Sequence, residues 1–416
     1  MSPLLQRVSG DSPRFERRTS VDPEALADAS AIVEEVRRGG EPALRRIAAR
    51  FGDLASGDRI LLGARDLEAA LGELPTAQVD LLARVAGRIE HFARAQRDIF
   101  RDLEINVPGG RAGHRMIPVD TVGAYAPGGR HSLPSSVLMT AIPARVAGVR
   151  QLFMASPSPG PITLAAAALA GVDALVCAGG AHAIAALAFG VVTPPCDVVV
   201  GPGNRWVTAA KQLLAGEVGI DGLAGPSEVL VVADESAEPG RVAADLLAQA
   251  EHDTASVILL ISTSSRLIDE ADTEIQSQLS DLPTAATASV AIRNGMAIEV
   301  GTLEEAAQIS NRIAPEHLSL HTSEPGRDLS AFKNYGSAFV GPAATEAHSD
   351  YGIGPNHVLP TGGSARYQSG LSVLTFLRAA TWLEMDDPRE IEADTVELAR
   401  LEGLEGHARA ALARTR

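Results

Sequence analysis

Aromatic residues are scarce, at 4% of the chain, so a core has to be built from Ala, Val, Leu and Ile. Cysteine is scarcer. Cys177 and Cys196 are the two in the sequence, and neither stands in a CxxC pair. That argues against a disulfide framework or a thiolate metal site and leaves buried, reduced thiols. Long apolar runs are missing. Pro143 and Arg145 interrupt residues 141–149, and Pro194-Pro195 follow residues 183–192, so neither run can span a bilayer. The N-terminal stretch MSPLLQRVSGDSPRFERR has no apolar centre of signal-peptide length. Positive charge is in deficit: 36 Lys and Arg face 52 Asp and Glu, a net charge of −16. Such a chain repels nucleic acid and anionic membranes, so neither is expected as a partner. With no signal-peptide core and no membrane-spanning run, a cytoplasmic location is expected. The GxGxxG fingerprint is absent as well, so any dinucleotide must be held without that phosphate cradle.

What is present describes a folded protein. The 416 residues are 45% hydrophobic and 21% charged, enough for two to three domains. The first hundred residues read as helical. Asp22 caps a helix with Pro23 at its first position, Gly39-Gly40 end it, a second helix covers 41–51, and a long one covers about 77–98. From about Leu103 the period changes. Strands at 122–126, 152–155, 174–177 and 197–200 alternate with helices at 135–149, 162–170, 181–188 and 204–214. A second series has strands at 228–232, 257–261 and 297–300, with helices at 239–250, 265–279 and 303–313. This βα alternation predicts an α/β protein with parallel sheets covered by helices. Residues 222–227 join the two series, and a charged helical tail runs from about 389 to 414.

Six segments offer chemistry. In Gln249-Ala250-Glu251-His252-Asp253, positions i and i+3 place Gln249 and His252 on one helical face, within reach of one metal ion. In Ala314-Pro315-Glu316-His317-Leu318, Pro315 disfavours helix before it, so Glu316 and His317 open a strand or sit in a loop. An adjacent Glu and His suit proton transfer at neutral pH. The segment from His348 to His357 offers His and Asp ligands, Asp350 among them, in a Gly-rich loop. Gly201-Pro202-Gly203-Asn204 and the Tyr125-containing run from Val122 to Gly129 each follow an apolar strand, where open α/β sheets bind ligands. The last is Glu402-Gly403-Leu404-Glu405-Gly406-His407. Taken singly, each also has an ordinary explanation: a capping histidine, a solvated turn, a Gly-rich connection or a solvated helix.

Taken together and in order, GAYAPGG, PSSVLM, GPGN, AGPSEVLV, QAEHD, APEHL, GPNHVLPT and EGLEGH resemble the histidinol dehydrogenase family, from about Asp22 to the end of the chain. The resemblance implies two Rossmann-like domains and a C-terminal tail swapped between the subunits of a homodimer. The expected division is 1–122 with 229–370, then 123–228, then the tail 371–416. It implies zinc held by Gln249, His252, Asp350 and His407, the last from the partner's tail. It implies Glu316 and His317 as the acid–base pair. Substrate contacts map onto Ser227, Gln249, His252, His317, Asp350, Glu402 and His407. NAD contacts map onto Tyr125, His182 and Asn204. The family usually carries Gln in GGAQAI where this chain has His182 in GGAHAI.

The implied reaction is oxidation of L-histidinol to L-histidine through the aldehyde, in two hydride transfers to NAD. His317 takes the hydroxyl proton, and Glu316 activates the water that adds to the aldehyde. Two other readings stand beside it. The tail sequence LEGLEGHARAA and Thr381-Trp382 are also similar to related zinc dehydrogenases that oxidise sulfopropanediol, whereas Ser227-Glu228 resembles the histidinol enzymes. The other reading is a non-catalytic, zinc-stabilised dimer, against which the intact Glu316-His317 pair and ligand positions argue.

Overall fold

A computed structural model describes residues 3–15, 21–55, 57–128 and 132–415. Gly129, the end of the GAYAPGG segment, lies outside them.

The helical N-terminal region forms as its sequence dictates. Asp22 Oδ1 accepts from Glu24 N at 2.9 Å, Pro23 opens the helix, and the run Pro23–Phe51 breaks at Gly40, with φ 55° and ψ −143°. Gly40 provides the break because a Cβ disfavours that conformation. Helices Ala64–Glu73 and Thr76–Ile99 follow.

Two six-stranded sheets organise the rest. In space, the first runs Gln6–Arg7, Met296–Glu299, Val257–Ser262, Glu228–Ala233, His317–His321, Ser337–Val340, and every pairing is parallel. The second runs Leu61–Gly63, Ala174–Val176, Gln151–Ala155, Thr121–Tyr125, Val198–Val200, Gly219–Ile220. It is parallel except where Leu61–Gly63 joins antiparallel. The strands are short Val-, Leu- and Ala-rich runs with both faces covered, as parallel sheets require.

Three features differ from the sequence-based expectation. Leu377–Met385, Gly110–Pro118 and Leu103–Val107 form a third, antiparallel sheet. Residues 285–294 form a helix that the hydrophobic period did not reveal. The third concerns the domain division, in which residues 1–122 were grouped with 229–370. Ala25, Val33, Leu44, Leu67 and Leu82 instead share one apolar cluster with Val122, Leu152 and Val199 of the second sheet. The extreme N-terminus does join the first sheet, with Gln6–Arg7 on its edge and Leu5 in its core. Among the described residues, no helix is long and apolar enough to cross a membrane.

Candidate functional site

The site is built where one helix crosses one strand. The helix Pro239–Ala250 presents Asp245 and Gln249, one turn apart, and the strand His317–His321 presents His317, Ser319 and His321, which alternate onto one face. The two rows pair. His317 Nδ1 lies 3.0 Å from Gln249 Oε1, while Asp245 Oδ2 accepts from Ser319 Oγ at 2.8 Å and lies 2.9 Å from His321 Nε2. All five side chains are buried, so this pairing offsets the cost of taking them out of water.

The chain reaches this point through a forced turn. Ala314 closes the helix Leu303–Ile313 with φ 53°, a left-handed conformation uncommon for a residue with a side chain. Pro315 follows, and His317 opens the strand beside Val229. Glu316 Oε2 accepts from Glu228 N at 2.8 Å, which fixes it across the amino ends of two neighbouring strands. Ser227 is half-buried at the same end, its carbonyl accepting from Val257 N at 2.9 Å.

Burial sets the protonation of the pair. His317 Nδ1 is 3.1 Å from the carbonyl oxygen of Glu228, which can only accept, so the proton sits on Nδ1. Nε2 is left bare and has no hydrogen-bond partner among the described residues. Burial depresses the imidazole to about 4, so it is neutral at pH 7 and its free nitrogen can take a proton. Burial pushes the Glu316 carboxyl well above the usual carboxylate range.

Sequence reasoning missed Glu346. It is buried on the short helix Glu346–Asp350, its Oε2 is 3.5 Å from His317 Nδ1, and neither oxygen is hydrogen-bonded among the described residues. Burial first, then Asp350 and Asp245, raise its carboxyl well above the ordinary value. His357 was noticed within its segment but given no role. Its Nδ1 donates to Asp350 O at 3.1 Å and its Nε2 is 3.3 Å from Ser136 Oγ, tying the loop to a helix of the second sheet. Nothing in the residue pattern marks Glu346; only burial does.

The proposed metal ligands are partly assembled. The helix ends at Ala250, so Gln249 and His252 do not share it; the turn beyond is held by His252 N donating to Gln249 O at 3.3 Å. His252 Nε2 and Asp350 Oδ2 face each other 4.0 Å apart. Two ligands held about 2.1 Å from a tetrahedral ion stand about 3.4 Å apart, so this separation needs little adjustment. Buried Gln249 is close by through His317, with its Nε2 unpaired among the described residues. Imidazole, carboxylate and amide are a donor set that zinc accepts. His407 and Glu402 are not brought to this place. Both are exposed on the tail and make no side-chain hydrogen bond or ion pair among the described residues.

The tail itself is the hairpin of helices Arg389–Leu401 and Glu405–Leu412, whose Val396, Ala399 and Ala408 form a small cluster apart from the main cores. Leu398, Leu401 and Leu404 stand exposed on it.

The proposed cofactor residues share the carboxyl edge of the second sheet. Strand order reverses between Thr121–Tyr125 and Val198–Val200, and open α/β sheets bind ligands beside such a reversal. Tyr125 ends the first of these strands, with its hydroxyl accepting from Gly180 N at 3.2 Å and pushed up to about 12 by burial. His182 lies buried in the first turn of the helix Gly180–Phe189. Asn204 follows the second strand and caps the next helix, Oδ1 accepting from Trp206 N at 3.1 Å and Val207 N at 3.2 Å.

Comparison with known proteins agrees along the whole chain. Residues 15–415 match the family model described as histidinol dehydrogenase. The histidinol dehydrogenase of Gluconobacter oxydans is 45% identical over 91% of this chain and 90% of its own. That of Thermus thermophilus is 44% identical over 95% of this chain and 96% of its own. The crystal structure of histidinol dehydrogenase from Elizabethkingia anophelis superposes with a TM-score of 0.92 at 31% identity, covering 100% of this chain and 98% of that one. With identity this high over nearly the full length, this chain belongs to the histidinol dehydrogenase family.

Proposed function

We propose that the protein oxidises L-histidinol to L-histidine through the aldehyde, in histidine biosynthesis, as a zinc-dependent, NAD-linked homodimer of the cytoplasm. The observation that carries this reading is the buried, neutral His317, its tautomer set by the Glu228 carbonyl, its Nε2 bare, and its imidazole within electrostatic reach of Asp350 and His252. Zinc, held by Gln249, His252, Asp350 and a His407 from the second subunit, would anchor the substrate through its ring and amino nitrogens. NAD, when bound along the edge marked by Tyr125, His182 and Asn204, supplies the hydride acceptor for both oxidations. The orphaned Nδ1 of His182 fits such a ligand.

The protein's own groups do the proton work. His317 Nε2 takes the hydroxyl proton in the first oxidation and that of the hydrated aldehyde in the second. Glu316, when ionised a stronger base than an exposed carboxylate because burial raises its carboxyl, takes a proton from the water that adds to the aldehyde. Ser227 and Glu402 complete the substrate pocket.

The tail supports a shared site. It carries a proposed metal ligand, His407, and a proposed substrate contact, Glu402, with an exposed row of leucines and little packing of its own, and docking it on a neighbour would cover those side chains.

The test is a substrate panel with L-histidinol and sulfopropanediol, with NAD, before and after chelator dialysis. Histidinol turnover that chelation abolishes and zinc restores is expected. Preference for the sulfonate, or full activity in metal-free protein, refutes the reading.

A further inference from the structure

At the carboxyl edge of the second sheet, His182 is paired with Asp53, a residue that has had no part in the chemistry above. Asp53 follows Gly52, the left-handed residue that closes the first helical run. A single oxygen, Oδ2, accepts from Gly179 N at 2.8 Å and lies 2.8 Å from His182 Nε2. A carboxylate borrowed from another element therefore sits at the amino end of the ten-residue helix Gly180–Phe189. The other oxygen, Oδ1, has no hydrogen-bond partner among the described residues, and the side chain is 12% exposed.

The surroundings point to a ligand. The His182 side chain is 3% exposed, and its Nδ1 is unpaired among the described residues. That atom lies 3.7 Å from the position a Cβ on Gly180 would take, so it faces the first turn of the helix. Phe51 stacks on the imidazole, ring centroids 5.7 Å apart and planes at 16°, and is itself 56% exposed. An open aromatic face, a buried unpaired nitrogen and a carboxylate with one free oxygen lie together beside Tyr125.

We propose that Asp53 makes this protein select NAD over NADP, its free oxygen accepting from the adenosine ribose and its charge repelling a 2′-phosphate. The proposal rests on the reading that this edge binds NAD. A helix amino end with free N–H groups attracts phosphate. Here Asp53 already fills that place, and its two donors hold it so that it cannot turn away. A phosphate brought to it meets a fixed like charge, whereas a ribose hydroxyl meets an acceptor. His182 is the positioning residue that holds Oδ2 and leaves Oδ1 to the ligand.

Calorimetry on the full-length protein tests this with ADP-ribose and 2′-phospho-ADP-ribose as probes, independently of turnover. The wild type should bind ADP-ribose at least about tenfold more tightly, and Asp53→Asn should narrow that ratio by about tenfold. Asp53→Ser is the second variant should the first fail to fold, and the wild-type comparison needs neither. Equal binding of both probes by the wild type, or equal weakening of both in the variants, overturns the proposal. Binding of neither overturns the cofactor reading along with it. Selective ADP-ribose binding without histidinol turnover would leave Asp53 in place and refute the proposed activity.

Discussion

The Nδ1 atom of His317 stands 3.0 Å from Gln249 Oε1, so the proposed base and a proposed metal ligand are joined by one hydrogen bond. His317→Asn keeps a donor near that position and removes Nε2. It should slow both oxidations by roughly a hundred- to ten-thousand-fold and leave the melting temperature nearly unchanged. Separate assays from the alcohol and from the aldehyde check it. An effect confined to one step would contradict the assignment.

Glu316 divides the work differently. Only the aldehyde step consumes water, so Glu316→Gln should slow aldehyde oxidation at least about tenfold more than alcohol oxidation. Single-turnover NADH formation from each substrate separates the two. Equal losses would remove the water-activating role.

Glu346 predicts a pH dependence of stability. Its folded-state carboxyl is raised, so the folded protein holds a proton that the unfolded chain releases near pH about 4.3. Above that pH the folded state binds more protons than the unfolded state, and stability falls as pH climbs toward the folded-state value. In metal-free protein, Glu346→Gln should melt a few degrees above the wild type at about pH 7 and alongside it at about pH 4. A gap that does not widen with pH counts against it.

The tail predicts complementation. Asp350→Ala and His407→Ala should each be inactive alone. Co-expressed, they should recover about a quarter of wild-type activity, because half the dimers are mixed and each mixed dimer has one whole site. A tail that served its own chain would leave the mixture inactive.

Lys211 and Asp221 form a buried ion pair at 2.5 Å, each side chain 4% exposed, and between them they hold both the N–H and the carbonyl of Gly201. Asp221→Ala strands a buried ammonium and should cost about 3–5 kcal/mol in urea unfolding. Lys211→Met with Asp221→Leu should recover much of that loss.

Legibility in the sequence followed the range of the physical signal. Strand–helix alternation is local, so the central strands of both parallel sheets were readable, whereas the short edge strands Gln6–Arg7, Leu61–Gly63, Gly219–Ile220 and Ser337–Val340 were not. The strand Leu377–Met385 pairs with Gly110–Pro118, far away in the chain, and no local period records that. The nearer hairpin was readable in principle, since Leu103, Ile105 and Val107 alternate. Within the site, Gln249, His252, Glu316 and His317 stood out by type and spacing. Glu346 and Asp53 did not, because what singles them out is an unpaired oxygen in a folded neighbourhood. Glu228 and His317 lie at the amino ends of their strands, opposite to where open parallel sheets usually bind ligands.

Ala314 carries a further consequence. A side chain held at φ 53° costs about 1–2 kcal/mol relative to an ordinary conformation, and glycine would relieve it. Glycine would also free a torsion directly ahead of Pro315, loosening the arm that delivers Glu316 and His317. Heat tolerance and catalytic rigidity therefore pull this position in opposite directions. A lineage adapting to cold would find alanine-to-glycine change here an inexpensive way to soften the catalytic strand without disturbing the core.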